Sequence, residues 1–211
     1  EFRRVLFRSC IGLLVSGGHT DLVLFKSHHN YLYIGGTRDD AAGECFDKCA
    51  RLLGYSYPGG PKISQLAKEG DPKKFQLPLP MNNSHDFDFS FSGLKTAFLN
   101  IVKEKNIENG TQEAKDLCAT LENTIVKSLV KKTIKAAQDN NVSTIIVGGG
   151  VSANQKLREE LRFKIQDLLW IYWRSYKNTL LMMNISNNGM IELTNDLFQT
   201  KQREINIPVI Y

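Results

Sequence analysis

The sequence predicts an α/β fold, and three observations carry that prediction. Residues 11–35 hold three short apolar runs separated by polar turns. Residues 113–139 follow a long amphipathic helical pattern. "STIIVGGGVSANQKLREEL" (143–161) is a β-branched run that ends in three glycines and passes straight into a helical pattern.

Taken in order, strands are expected at 11–15, 20–26 and 31–35, forming an antiparallel meander. The first two are joined by "SGGHT", Ser16 to Thr20. A tight hairpin needs such glycine-rich chemistry; so does a loop whose backbone N–H groups must reach a phosphate. Both readings stand on this stretch alone. "GGTRDD" then leads into a helix in which Ala42, Cys45, Phe46, Cys49, Leu52 and Leu53 share one face. Asp39 or Asp40 is expected to cap its start and Gly54 to close it at C′. "YPGGP" breaks the chain, and helices follow at 61–69 and 93–105, separated by a proline-containing loop and "DFDFSFSG". The long helix at 113–139 turns Leu117, Leu121, Ile125, Leu129 and Ala136 inward and its lysines outward. A buried strand within 143–150 and a helix opened by "VSANQKLREELR" complete the pattern.

Bulk properties fit a chain that buries a core: 211 residues, 42% hydrophobic and 23% charged. The longest apolar stretch, Leu168 to Trp173, is too short to span a bilayer. Nothing at the start has the pattern of a secretory signal. Cys10, Cys45, Cys49 and Cys118 make no disulfide framework, and buried free thiols are expected. The net charge of +5 sits mainly at the two ends: residues 10–155 carry sixteen basic and fifteen acidic side chains. Composition therefore gives little support to a dense polynucleotide-binding face.

The ends differ in texture from the middle. Residues 1–9, "EFRRVLFRS", read as a non-native leader, and residues 10–165 as the domain. Residues 166–211 read as a divergent or frame-shifted tail, holding both tryptophans and three of the four methionines without clean periodicity.

The glycine turns carry the chemistry. After "IIVGGG", Ser152 and Asn154 stand where a helix begins, a geometry that presents N–H groups and a positive helix end to an anion. It also suits a plain strand–helix turn with an N-cap. It is neither a P-loop nor a G-x-G-x-x-G fingerprint. Together with "SGGHT", however, it gives two glycine-rich turns, each after a buried strand, as on the two sides of a nucleotide cleft. The order βββα followed by αβα is that of one half of an actin/sugar-kinase/Hsp70-type ATPase, a likeness that does not identify a reaction.

Four stretches in order, "LLVSGGHTDLVLF", "DDAAGECFDKCARLLGYSYPGGP", "DFSFSGLKTA" and "VGGGVSANQKLREEL", closely resemble the Gcp-type tRNA threonylcarbamoyladenosine transferases, long labelled O-sialoglycoprotein endopeptidases. The resemblance covers about residues 10–162 and corresponds to the C-terminal half of such proteins. It implies an actin-like ATPase fold, mainly its second half, and a tRNA-modifying acyltransferase. The implied reaction moves threonylcarbamoyl from its adenylate to N6 of the adenosine following the anticodon in ANN-decoding tRNAs. The implied ligand is threonylcarbamoyl-AMP or ATP. The implied partners are tRNA, a paralogous subunit and a P-loop ATPase, with no membrane. The implied location is the cytoplasm, or the mitochondrion for an organelle paralogue.

Carried over residue by residue, the adenylate-binding turn falls on Leu14, Val15, Ser16, Gly17 and Gly18. The carboxylate of "FDK" is Asp47, the glycine of "YPGGP" at the nucleotide is Gly60, and the asparagine of "GGVSAN" is Asn154. Gly17 and Gly18 would offer N–H donors to phosphate, and Asp47 and Asn154 would fix hydroxyls or base edges. Each residue also has a plain role open to it. Asp47 would pair with Arg51 at i, i+4, Asn154 would cap a helix, and Gly60 would serve a turn. No residue is assigned as catalytic.

Three departures from the family pattern matter. Ser64 stands where many members place an Asp. His19, His28, His29 and His85 do not provide the family's H-x-x-x-H pair, and Asn187 stands where the third metal ligand, an Asp, is expected. Amides are poor transition-metal ligands beside carboxylates. The iron or zinc of the family is therefore not expected on this chain, and the chain alone is expected to be inactive. The alternatives are a nucleotide-binding actin-like module or partner subunit without catalysis, and a small-molecule kinase, for which no catalytic Asp is marked.

Overall fold

A computed structural model describes residues 9–27 and 29–164, together with the backbone of three strands between 170 and 192. The meander is present as β1 (Cys10–Val15), β2 (Thr20–Ser27) and β3 (Asn30–Gly36), each within a residue or so of its expected bounds. β1 pairs antiparallel with β2, and β2 with β3. On its other side β1 pairs in parallel with β4 (Thr144–Gly148), Leu14 lying opposite Gly148. Three strands past residue 165, where the sequence suggested no reliable structure, continue the sheet. They are β5 (Trp170–Arg174), parallel to β4, then β6 (Leu180–Ile185) and β7 (Ile191–Glu192), both antiparallel. The sheet order is β3-β2-β1-β4-β5-β6-β7, so the fold is α/β on a mixed sheet.

The helices are α1 (Ala42–Leu52), α2 (Gly59–Ala67), α3 (Ser92–Lys105), α4 (Gln112–Asp139) and α5 (Gln155–Lys164). α4 is the hub, touching α2, α3, α5 and β1. Leu117, Leu121, Ile125, Leu129 and Ala136 are fully buried along it and join Ile11, Leu13, Val147, Phe89, Phe91 and Phe98 in one core. All four cysteines are buried and free. Among the described residues no helix is long and apolar enough to cross a membrane.

Four details depart from the sequence-based expectations. Neither Asp39 nor Asp40 caps α1. Ala41 holds that position, and the first amides go elsewhere: Ala41 N–H to Glu44 Oε2 (3.4 Å), Ala42 N–H to buried Thr20 Oγ1 (2.9 Å) and Gly43 N–H to Ser16 O (3.1 Å). Asp39 instead reaches across to the start of α3. Its Oδ1 accepts Phe91 N–H at 2.7 Å and Ser92 N–H at 3.1 Å, while Oδ2 accepts both serine hydroxyls of Ser90 and Ser92. Asp40 holds Lys48 at 2.7 Å. At the other end of α1, Gly54 closes the helix as expected, with φ +80° and its N–H on Arg51 O.

Second, not every lysine of α4 faces out. Lys132 is buried, donating to Ser84 Oγ (2.6 Å), Asp86 O (3.1 Å) and Asp86 Oδ1 (3.3 Å). It lies three residues after Leu129 and four before Ala136, on the inward stripe, so geometry overrode its charge. Third, α5 does not follow the glycines directly: a 3-10 turn, Gly150–Ala153, intervenes. Fourth, α2 begins at Gly59, two residues before the expected start.

Candidate functional site

The two glycine turns leave the sheet at the C-terminal ends of neighbouring parallel strands, where open α/β sheets place their ligands. The first turn is built by Ser16. Its hydroxyl accepts Gly18 N–H (3.2 Å) and His19 N–H (3.0 Å), and its own N–H donates to His19 O (2.8 Å). The second turn presses on the first. Gly149 has φ +96°, and a Cβ there would sit 2.3 Å from Val15 O. α1 closes on the same corner through Gly43, where a Cβ would lie 2.5 Å from Ser16 O. Only residues without a side chain allow three backbones to meet so closely.

Beside this corner lies an open cleft of about 500 Å³. Gly17 and Gly43 form one side, Gly150, Val151, Ala153, Asn154 and Gln155 another. Phe46 and Asp47 of α1, with Tyr57, Pro58, Gly60, Pro61, Ser64, Gln65 and Lys68 on and around α2, complete the lining. Of the residues singled out from sequence, Gly17, Asp47, Gly60 and Asn154 therefore share one cleft. Leu14, Val15, Ser16 and Gly18 do not line it. Val15 is fully buried, Leu14 is 45% exposed beside Gly148, and the Ser16 hydroxyl and Gly18 amide are engaged inside the turn.

Asp47 makes no ion pair with Arg51; its Oδ1 accepts Gly59 N–H at 2.7 Å and Gly60 N–H at 3.2 Å. A carboxylate from α1 thus caps α2, placing a negative charge at the positive end of that helix. Asn154 does cap α5, its Oδ1 accepting Leu157 N–H at 2.8 Å. Its Nδ2 donates to Ser64 Oγ (2.9 Å) and to Oε1 of buried Glu122 (2.7 Å). Ser64, noted as a departure from the family pattern, thereby gains a partner. Glu122 escaped the sequence reading, although its place was a signal. It falls four residues after Cys118 and three before Ile125, on the apolar stripe of α4, where a carboxylate is out of place. Lys68 and Gln65 carried no motif; only the path of α2 brings them to the cleft.

Among the described residues the donors are not gathered into a set that suits iron or zinc. Among the described residues no group of three or more His, Cys, Asp or Glu side chains is placed to hold an ion. Asp47 and Asn154 are engaged as above. Burial pushes the Cys118 thiol up to about 12 and Cys10 up to about 11; the hydrogen bond to Cys45, then burial, pushes Cys49 up as well. A cysteine that ligates a metal must do so as the thiolate. Asn187 and His28 lie outside the described residues.

An α/β mixed sheet, two glycine turns at adjacent parallel strand ends and an open cleft beside them define an α/β protein with a cleft at its strand ends. Within that class the sequence is specific. The family model for tRNA N6-adenosine threonylcarbamoyltransferase (TsaD) matches residues 6–173, and the chain belongs to this family. Curated relatives of that description include one from Synechocystis, 49% identical over 160 residues, covering 74% of this chain and 46% of the relative. One from Thermosipho africanus is 51% identical over 150 residues (71% and 45%), and one from Crocosphaera subtropica 52% identical over 156 (71% and 45%). The chain spans less than half the length of these relatives.

Proposed function

We propose that the protein to which this chain belongs transfers threonylcarbamoyl from its adenylate to N6 of the adenosine following the anticodon of ANN-decoding tRNAs, and that the cleft holds the adenylate. Supporting this reading is one observation above the rest: in a chain of this family, Gly17, Asp47, Gly60 and Asn154 line a single cleft beside two glycine turns. An actin-like arrangement, of which this chain is mainly the second half, accounts for the strand order. The adenine amine attacks the threonylcarbamoyl carbonyl carbon, the acyl–phosphate bond breaks, and AMP leaves as the amine loses a proton. The residues of this chain bind and orient. The turn lets the phosphate approach the Gly17 N–H, the amide of the turn that lines the cleft, and Asp47 and Asn154 fix the turns that flank the nucleoside. Holding the acyl carbon within about 3–3.5 Å of the attacking amine supplies much of the rate. A paralogous subunit and a P-loop ATPase as partners, and the cytoplasm as location, complete the proposal.

Calorimetric titration of the 211-residue chain with ATP and with threonylcarbamoyl adenylate tests it. Gly17 is the position to change, because a Cβ built there meets nothing within 4 Å. With that space Gly17→Val should still fold and place its side chain at the cleft, so nucleotide binding should be lost from a protein that still melts cooperatively. Wild-type affinity in folded Gly17→Val would overturn the assignment.

A further inference from the structure

We infer that Glu122 is a positioning residue for the cleft, locking the Asn154 side chain in one orientation; the consequence for ligand affinity rests on the nucleotide reading above. An asparagine amide has one acceptor oxygen and an NH2 with two donor hydrogens. At Asn154 all of them are committed. Oδ1 takes Leu157 N–H at 2.8 Å, and Nδ2 gives to Glu122 Oε1 at 2.7 Å and Ser64 Oγ at 2.9 Å. A serine hydroxyl accepts or donates and would tolerate either amide orientation. An ionised carboxylate only accepts. Rotating the Asn154 amide by half a turn would set its oxygen against the Glu122 carboxylate and its NH2 against Leu157 N–H, two repulsive contacts in place of two hydrogen bonds. Glu122 therefore chooses the orientation.

The placement argues that this choice serves the cleft. Glu122 is 7% exposed, and burying a carboxylate carries a desolvation cost that an apolar side chain on the same stripe of α4 would avoid. It makes no ion pair among the described residues, and its hydrogen bond goes to a side chain that lines the cleft. Ser64 on α2 and Asn154 at the start of α5 are joined over Glu122 on α4. The bracket sets the spacing between the two walls that carry Gly60 and Gly150.

The test is a double-mutant cycle with a ligand-free readout beside it. ATP affinity of the 211-residue chain is measured for wild type, Glu122→Gln, Glu122→Ala, Asn154→Ala and the two double variants. Loss of a hydrogen bond to a charged group corresponds to about a tenfold loss of affinity for Glu122→Ala, with a smaller loss for the isosteric Glu122→Gln. In the Asn154→Ala background neither change should move affinity further. Equal losses in both backgrounds would show a general effect on the fold and overturn the inference. Separately, without nucleotide, the side-chain NH2 signals of Asn154 in a nitrogen–proton correlation spectrum, assigned by their absence in Asn154→Ala, should exchange slowly with solvent in wild type. They should exchange fast in Glu122→Ala and in Glu122→Gln at an intermediate rate. Should wild type bind no ATP, the nucleotide reading fails, and these signals alone judge the bracket. Unchanged exchange in both Glu122 variants would overturn it.

Discussion

Replacing Asp47 by alanine separates a carboxylate that holds the fold from one that waits only for a ligand. Its Oδ1 accepts two amides at the start of α2, at 2.7 and 3.2 Å. Hydrogen bonds to a charged group contribute about 1.5–3 kcal/mol each when well made, and loss of a helix N-cap costs about 0.5–2 kcal/mol. The second bond here is long and the side chain is half-buried, so the two together should amount to about 2 kcal/mol. Asp47→Asn keeps an acceptor oxygen and loses the charge facing the helix end, a cost of about 1 kcal/mol or less. For a chain of this length each kcal/mol shifts the melting temperature by about 2–4 °C. Thermal unfolding followed by circular dichroism, with no nucleotide present, should then place Asp47→Ala about 4–8 °C below wild type, with Asp47→Asn between them. A ligand-only carboxylate predicts three superimposable curves. Superimposable curves would refute the capping argument.

Two further outcomes follow from the same geometry. Gly149→Ala forces a methyl group to within 2.3 Å of Val15 O at φ +96°, and should cost more than about 2 kcal/mol in urea unfolding; Gly150→Ala, where nothing lies within 4 Å, should change stability by less than about 1 kcal/mol, and the reverse order would refute the close-approach argument. Burial alone would raise the pKa of Asp39, but hydrogen bonds from Ser90, Phe91 and Ser92 outweigh it and hold the carboxyl below its ordinary range. A depressed folded pKa gives stability that is present above the unfolded value, near about 4, and lost as pH falls through the folded one. Asp39→Asn should therefore flatten the acid limb of the stability–pH curve, and an unchanged limb would count against the clamp.

The parts legible in the sequence were those governed by periodicity and turn chemistry. Short apolar runs between polar turns marked β1 to β3, the 3.6-residue stripe marked α4, and Gly54 marked the end of α1. The illegible parts were contacts between segments distant in the chain. Asp39 reads as a local cap because it stands just before a helix, yet its carboxyl satisfies amides some fifty residues away at the start of α3. Asp47 reads as a partner for Arg51, one turn on, yet the amides at the start of α2 hold it. Glu122 and Lys132 were readable in principle, since both lie on the inward stripe of α4, but average hydrophobicity conceals single charged residues within it. Cleft residues carried by short motifs, such as Gly17 and Gly60, could be named in advance. Lys68 and Gln65 reach the cleft only through the orientation of α2, which no local pattern encodes.

The parallel pairing of β1 with β4 also decides when the cleft comes into existence. Ile11 to Leu14 lie beside Ile145 to Gly148, so this one contact closes a loop containing the meander and α1 to α4. Closing so long a loop carries an entropic cost that must be met before the pairing repays it, and such non-local contacts form slowly. In chain order the hairpin turn, α1 and α2 come first, and the second wall is complete only once β4 has docked and set Asn154 in place. A ligand that bridges the two turns binds only the closed sheet. By mass action it therefore stabilises the domain as a unit, acting as a staple between segments that are the last to find each other.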